Sequence, residues 1–190
     1  MTSRAESTDE ELMLQYRDGD AAAFEALYAR HRGGLYRYLL RQCRNAAAAE
    51  ELFQDVWMNL VRARAAYTVQ ARFTTYLYRL AHNRLIDHYR KHSRATISSL
   101  DEAGGDEPVD PPDERERPHD EMLDAKRQAR RLMQLIAELP EAQREAFLLQ
   151  QEGGMSVEEI GQATGVSRET AKSRLRYAMA RLRKGMAGWR

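Results

Sequence analysis

The chain has 190 residues, 43% of them apolar and 31% charged, with a net charge of +1. These are the proportions of a folded globular protein, which excludes disorder throughout. A single cysteine, Cys43, excludes an internal disulfide and a cysteine-rich zinc site, no apolar run approaches a membrane span, and MTSRAESTDEEL at the start lacks an apolar signal core, so a cytoplasmic protein is expected.

The first predicted element is a short helix. Thr8 and Glu11 form a capping box that opens it, and it runs to Tyr16 before Asp18-Gly19-Asp20 breaks it. A longer helix is predicted from Ala21 to about Cys43. Phe24, Leu27, Leu35, Tyr38 and Leu39 mark its buried side, and Gly33-Gly34 is expected to weaken it locally. A third helix spans about Ala47 to Ala65. Leu52, Phe53, Val56, Trp57 and Leu60 recur there at helical spacing, leaving Glu50, Glu51, Gln54, Asp55 and Asn59 as a polar, acidic face.

The fourth helix, roughly Thr74 to Lys91, carries chemistry. It packs Leu77, Leu80, Leu85 and Ile86 inward, and with the residues before it interleaves Tyr67, Phe73, Tyr76, Tyr78 and Tyr89 with Arg72, Arg79, Arg84, Arg90 and Lys91 against one acid, Asp87. Aromatics among cations suit single-stranded nucleic acid, because rings stack on bases for about 1–3 kcal/mol each while cations hold the backbone. Arg79, Asn83 and Asp87 follow i, i+4, i+8 and share one face, where three hydrogen-bonding side chains meet base edges. His88 and His92 also lie at i, i+4, with His82 earlier, but neighbouring cations, no acidic third ligand and no HExxH motif argue against a metal, and proximity to phosphate is the better expectation.

Charge then changes sign. Residues 1–93 hold 14 basic and 11 acidic residues, residues 94–124 hold 3 and 11, and residues 125–190 hold 13 and 7. The central acidic stretch contains four of the five prolines, a Gly-Gly pair and few large apolar groups, so it reads as a flexible linker over 94–124.

After the linker, helices are predicted over Glu121–Glu138 and Glu141–Gln151, separated at Leu139-Pro140 because proline suits a first turn and not an interior. Met155 to Arg176 reads as a helix-turn-helix. Ser156 and Glu159 form a second capping box, the helix ends near Ala163, Gly165 allows a left-handed turn, Ser167 caps the next helix, and Val157, Ile160 and Val166 look inward. From Arg168 to Lys184 that second helix carries seven basic residues against Glu169 alone, and also an apolar stripe of Leu175, Met179 and Leu182. A solvated face would mix signs for i, i+4 pairing, so the excess of cations points to DNA phosphates and a major groove.

No strand period appears, so the expected fold is all-α: two small helical domains, 1–93 and 125–190, joined by the acidic linker, the second a helix-turn-helix domain. With these segments in view the chain resembles the extracytoplasmic-function group of the bacterial sigma-70 family. The resemblance rests on DAAAFEALYARHRGGLYRYL, AAEELFQDVWMNL, FTTYLYRLAHNRLIDHYR, LPEAQREAFLL and MSVEEIGQATGVSRETAKSRLR, in the order that family uses.

The resemblance implies an alternative sigma factor: a dissociable subunit that binds core RNA polymerase, recognises minus-ten and minus-thirty-five promoter elements and initiates transcription. It implies docking on the polymerase clamp coiled coil through Glu50, Glu51, Gln54, Asp55 and Asn59. It implies minus-ten contacts at Tyr67, Arg72, Phe73, Thr74, Tyr76, Arg79, Asn83 and Asp87, with Tyr67 to Thr75 forming the loop that receives a flipped base. Minus-thirty-five contacts fall at Lys172, Ser173, Arg176 and Tyr177, with Arg168 and Arg174 on phosphates. The partners so implied are core polymerase (clamp and flap regions), promoter DNA and an anti-sigma factor; the linker threads through the polymerase.

Three positions depart from the family pattern: Tyr76 stands where tryptophan is common, Ala171 where valine is, and Tyr177 where arginine is. Promoter sequence is therefore not borrowed. The short stretch after Lys184 gives no sign of an extra self-controlling domain. Without a Gly-rich phosphate loop, a G-x-S-x-G elbow or a Cys/His pair, the chain is expected to carry no catalytic site, cofactor or metal. A stand-alone helix-turn-helix regulator remains the alternative; it would need a ligand pocket, a receiver domain or a dimerisation helix, whereas the N-terminal half offers an acidic face and an aromatic-basic segment.

Overall fold

The computed structural model describes residues 7–98 and 120–187. Among them are eight α-helices and one short 3-10 turn, with no strand. The N-terminal domain holds α1 (Asp9–Arg17), α2 (Ala21–Cys43), α3 (Ala46–Ala63), the 3-10 turn Arg64–Ala66, and α4 (Phe73–Ser98). The C-terminal domain holds α5 (Asp120–Ala137), α6 (Glu141–Gly153), α7 (Val157–Thr164) and α8 (Arg168–Ala187). Helix α4 extends past the expected Lys91 and α5 begins at Asp120, so both ends of the stretch read as linker are helical. Its centre, 99–119, lies outside the described residues.

Local chemistry explains the starts and stops. The Thr8 hydroxyl accepts from the Glu11 amide at 3.2 Å while the Glu11 carboxylate accepts from the Thr8 amide at 2.9 Å, completing the predicted box. Asp20 accepts from Ala22 N and Asn45 from Ala48 N, each capping the helix that follows. Between them Arg44 closes α2 in the left-handed region at φ 57°, the one described residue other than glycine to do so.

Helix α4 is started differently. The amide of Phe73 donates to Glu10 Oε1 at 2.6 Å, so a carboxylate from α1, 63 residues earlier, satisfies an end that α4's own neighbours leave open.

The N-terminal core centres on fully buried Leu12, Met13, Leu27, Leu35, Tyr38, Leu39, Val56, Leu60, Phe73 and Leu77. Over it Phe24 touches the rings of Tyr16, Tyr28 and Trp57 at centroid distances of 4.9, 6.2 and 5.7 Å. In the C-terminal domain Leu148, Leu149, Ile160, Ala163, Ala171, Ala178 and Leu182 fill the space between α6, α7 and α8. The helix-turn-helix has its predicted caps: Ser156 Oγ accepts from Glu159 N at 3.2 Å, Ser167 Oγ from Thr170 N at 3.2 Å, and Gly165 turns the chain at φ 70°.

The two domains pack on each other: α6 lies against α2 and α4, and α7 lies against α4, so one core runs through both. The contact is polar as well as apolar. Glu145 of α6, 8% exposed, accepts from the Tyr38 hydroxyl at 2.8 Å and faces His82 Nδ1 at 2.7 Å. Its neighbour Arg144, 6% exposed, donates to the Gln42 side chain at 3.0 Å and to the carbonyls of Ala137 and Leu139. At the rim Glu152 pairs with Arg37 at 2.8 Å and with Arg41.

This packing gives Gly34 a reason and revises one sequence expectation. Helix α2 runs unbroken through Gly33-Gly34, and a Cβ at Gly34 would stand 3.0 Å from the Glu152 carbonyl oxygen and 3.1 Å from the Tyr78 hydroxyl, so its missing side chain is what admits α6. His82 does not face outward toward phosphate but inward, to Glu145.

Candidate nucleic-acid interface

The aromatic-basic segment was expected to display rings, but its residues fall into two sets. Phe73 and Tyr78 are core residues at 0% and 1% exposure, and Thr74 and Thr75 are buried beside them. Arg72, Arg79, Asn83 and Asp87 are exposed, and the i, i+4, i+8 trio shares one open face of α4 as its spacing requires. Arg84 lies 3.9 Å from Asp87 on that face.

Where the loop from the 3-10 turn meets α4 there is a pocket of about 440 Å³, lined by Ala63, Tyr67, Gln70, Thr75, Tyr76 and Arg79 among others, with Gln162 of α7 at its edge. The Tyr67 and Tyr76 rings meet edge to face at 5.2 Å in its wall. The buried hydroxyls of Tyr67 and Thr75 have no hydrogen-bond partner. An unsatisfied buried hydroxyl is costly, and both side chains belong to residues that line this pocket together with the exposed Arg79. Burial first, then the carboxylate of Glu10, pushes the Tyr67 phenol up to about 12, so it remains a hydrogen-bond donor at neutral pH. Aromatic walls and a cation can hold a flat heterocycle attached to a phosphate.

On α3, Glu50, Glu51, Gln54 and Asp55 are exposed and Asn59 is half-buried. Met58, 48% exposed, sits among them. This face adjoins the α4 face along a shallow groove: Glu51 and Asp55 share its walls with Arg84, His88 and Lys91, and Asn59 and Arg62 line its continuation with Asn83 and Asp87. The acidic face of α3 and the Arg79–Asn83–Asp87 face of α4 are thus neighbours, which spacing along either helix does not reveal.

On α8, Arg168, Lys172, Arg176 and Tyr177 are exposed and Ser173 and Arg174 half-buried, while Ala171, Leu175, Ala178 and Leu182 face the core. Tyr177 is 52% exposed with the Arg176 guanidinium 5.0 Å above its ring. Arg168 bridges back to Glu158 of α7 and to Glu169 at 3.2 Å, bracing the turn between the two helices. Gly161 was missed in the sequence: a Cβ there would lie 2.9 Å from the Val166 carbonyl oxygen, so this glycine lets the turn close over α7. A glycine four residues before Gly165 is the one cue the sequence offers.

The remaining candidates are accounted for by their surroundings. The Cys43 thiol donates to the Leu39 carbonyl at 2.9 Å, and burial pushes its pKa up, which disfavours the reactive thiolate. The side chain of His92 lies outside the described residues, and among those that are described no group of three histidine, cysteine or acidic residues is spaced to hold a metal. No described helix is long and apolar enough to cross a membrane.

Comparison with known proteins covers both halves. The Sigma-70 region 2 model matches residues 27–95, and the Sigma-70 region 4 model matches residues 129–182. The RNA polymerase sigma factor CarQ of Myxococcus xanthus is 33% identical over 174 residues, spanning 90% of this chain and 93% of that protein. The ECF RNA polymerase sigma factor RpoE of Cereibacter sphaeroides is 31% identical over 190 residues, spanning 98% and 100%. Among solved structures, the sigma factor RpoE bound to the anti-sigma factor NepR from Bartonella quintana superposes with a TM-score of 0.71 at 20% identity, over 88% of this chain and 98% of that one. CnrH bound to the cytosolic domain of CnrY superposes with a TM-score of 0.68 at 21% identity, over 97% and 100%. These two share the fold.

Proposed function

Because the chain belongs to the extracytoplasmic-function group of the sigma-70 family of RNA polymerase sigma factors, we propose that it directs core polymerase to a set of promoters by reading two elements with its two domains. It acts in the cytoplasm as a specificity subunit and has no catalytic site of its own. The observation that carries this reading is the pocket between the 3-10 turn and α4, walled by the Tyr67 and Tyr76 rings and lined by exposed Arg79. One unstacked minus-ten base enters it, against the wall that the Tyr67 and Tyr76 rings form. Arg72 and Arg79 hold the neighbouring phosphates, and Asn83 and Asp87 read adjacent base edges. Phe73 and Thr74 support this site from beneath, since both are buried.

The α3 face of Glu50, Glu51, Gln54, Asp55 and Asn59 docks on the polymerase clamp coiled coil, and the C-terminal domain engages the flap. Helix α8 enters the major groove at the minus-thirty-five element, with Lys172, Ser173, Arg176 and Tyr177 toward bases and Arg168 and Arg174 toward phosphates. An anti-sigma factor is the expected inhibitor; the sigma factor RpoE that shares this fold was solved bound to one, NepR.

The test is transcription from fragmented genomic DNA by sigma-free bacterial core polymerase, with and without the purified protein, followed by sequencing of the RNA starts. New starts sharing two upstream elements are expected. If none appear while the protein still shifts duplex DNA, a stand-alone regulator is the better reading. Gln54→Lys with Asp55→Lys is expected to abolish polymerase binding without unfolding the chain, and unchanged affinity would remove the docking assignment.

A further inference from the structure

Helix α8 carries Arg168, Lys172 and Arg176 at i, i+4 and i+8, one above another on a single face. The first of these is already engaged, by Glu158 across the turn and by Glu169. Arg176 is placed differently. No acid lies within four residues of it in either direction, and the residue one turn back is Lys172, a like charge that repels it. Among the described residues no carboxylate from another element pairs with it either; its partner is the next residue in the chain.

The guanidinium lies 5.0 Å above the Tyr177 ring, inside the reach of a cation–π contact, and its Nη2 donates a long bond of 3.4 Å to the Tyr177 hydroxyl, so the ring is the stronger half of the pair. Spacing does not force this contact. Consecutive helical residues point about 100° apart and do not face each other, so both side chains have to lean together. The ring is 52% exposed and is not held in place by the core. A guanidinium recognises guanine by two hydrogen bonds in one plane, to O6 and N7. A long side chain with nothing beside it has to freeze its rotamers to do so, which lowers both affinity and discrimination. A ring face fixes the plane of the group and leaves most of its N–H donors open, where a carboxylate partner would take two of them.

We propose that Tyr177 is a positioning residue, whose ring is the shelf on which the Arg176 guanidinium is held flat to recognise a guanine in the minus-thirty-five element. The inference rests on the minus-thirty-five reading of α8 and refines it: Tyr177 acts through Arg176 and sets base preference without reading a base itself.

The test uses holoenzyme assembled from core polymerase and the full chain, offered a duplex library randomised across the upstream element, with the bound fraction sequenced. Both residues are exposed, so substitutions there leave the core untouched. Arg176→Ala should erase a guanine preference at one position, a loss of about tenfold or more. Arg176→Lys should erase it too, because an ammonium keeps the charge but cannot make the planar pair of bonds. Tyr177→Leu should weaken the guanine preference at that same position about fivefold and leave the other positions alone, while Tyr177→Phe, which keeps the ring, should stay within about twofold of wild type. In the Arg176→Ala background, Tyr177→Leu should add nothing at that position. A Tyr177→Leu variant that keeps the preference, loses binding equally on all sequences, or alters a different position would overturn the shelf, as would a Tyr177→Phe variant as impaired as Tyr177→Leu. The underlying reading fails separately: if Arg176→Ala leaves base preference unchanged at every upstream position, the minus-thirty-five assignment of Arg176 falls and the shelf with it, whereas a preference lost in Arg176→Ala and intact in Tyr177→Leu removes the shelf alone.

Discussion

Arg144→Ala should be among the most destabilising single changes in this protein. The guanidinium is buried, and burial lowers its pKa although the group remains charged at neutral pH. It makes four hydrogen bonds at 3.0 to 3.4 Å: to Gln42 Oε1, to the Gln42 carbonyl, to the Ala137 carbonyl at the end of α5 and to the Leu139 carbonyl in the turn that follows. Hydrogen bonds to charged groups contribute about 1.5–3 kcal/mol each, but four fanning from one planar group are not additive. Truncation leaves neutral acceptors, not an orphaned charge, which places the loss near the low end of the 3–5 kcal/mol range for broken buried charged networks. An expected loss of about 3 kcal/mol, at a urea slope of about 2 kcal/mol/M, lowers the unfolding midpoint by about 1.5 M. The interdomain share is isolated by a double-mutant cycle with Gln42→Ala, for which about 1–2 kcal/mol of coupling is expected. A total loss under about 1 kcal/mol, or no coupling to Gln42, would refute the assignment of Arg144 as the tie between α5, α6 and α2.

Tyr67→Phe removes a hydroxyl that has no partner, so stability should hold or rise by up to about 1 kcal/mol while holoenzyme affinity for the melted strand falls; a loss of stability with intact DNA binding would make the hydroxyl structural. Gly161→Val forces atoms into the Val166 carbonyl and should abolish minus-thirty-five binding in a mobility-shift assay, while promoter melting directed by the N-terminal domain on an extended minus-ten template persists. Burial opposes ionisation of Asp9, but hydrogen bonds from His31 and Arg30 outweigh it and hold its pKa below 3.8. A depressed carboxylate stabilises the fold above its unfolded value and loses that contribution as pH falls through the folded one. Asp9→Asn should therefore destabilise at neutral pH and flatten the stability profile below 3.8 in chemical unfolding; parallel profiles for the two proteins would remove Asp9 as a contributor.

The helices and the helix-turn-helix were legible in the sequence because their signals are local. Ser156 and Glu159 announce a cap within four residues, and the run from Arg168 to Lys184 separates apolar from basic positions at helical spacing. What the sequence hid depends on partners far along the chain. The cap on α4 comes from Glu10, the acceptor for His82 from Glu145, and the reason for Gly34 from a carbonyl at Glu152. Composition likewise marked Phe73 and Tyr78 as members of an aromatic-basic set without revealing that their rings fill the core. Stacking propensity and burial propensity belong to the same side chains, and only the third dimension separates them.

The carboxylate of Glu10 at the start of α4 bears on how this surface can evolve. A loop that leads into a helix ordinarily surrenders one position to a capping residue, and its sequence is constrained accordingly. Here that duty is discharged from α1. Residues 68–72 are released from it, so the lip of the pocket can change in sequence without weakening the helix behind it.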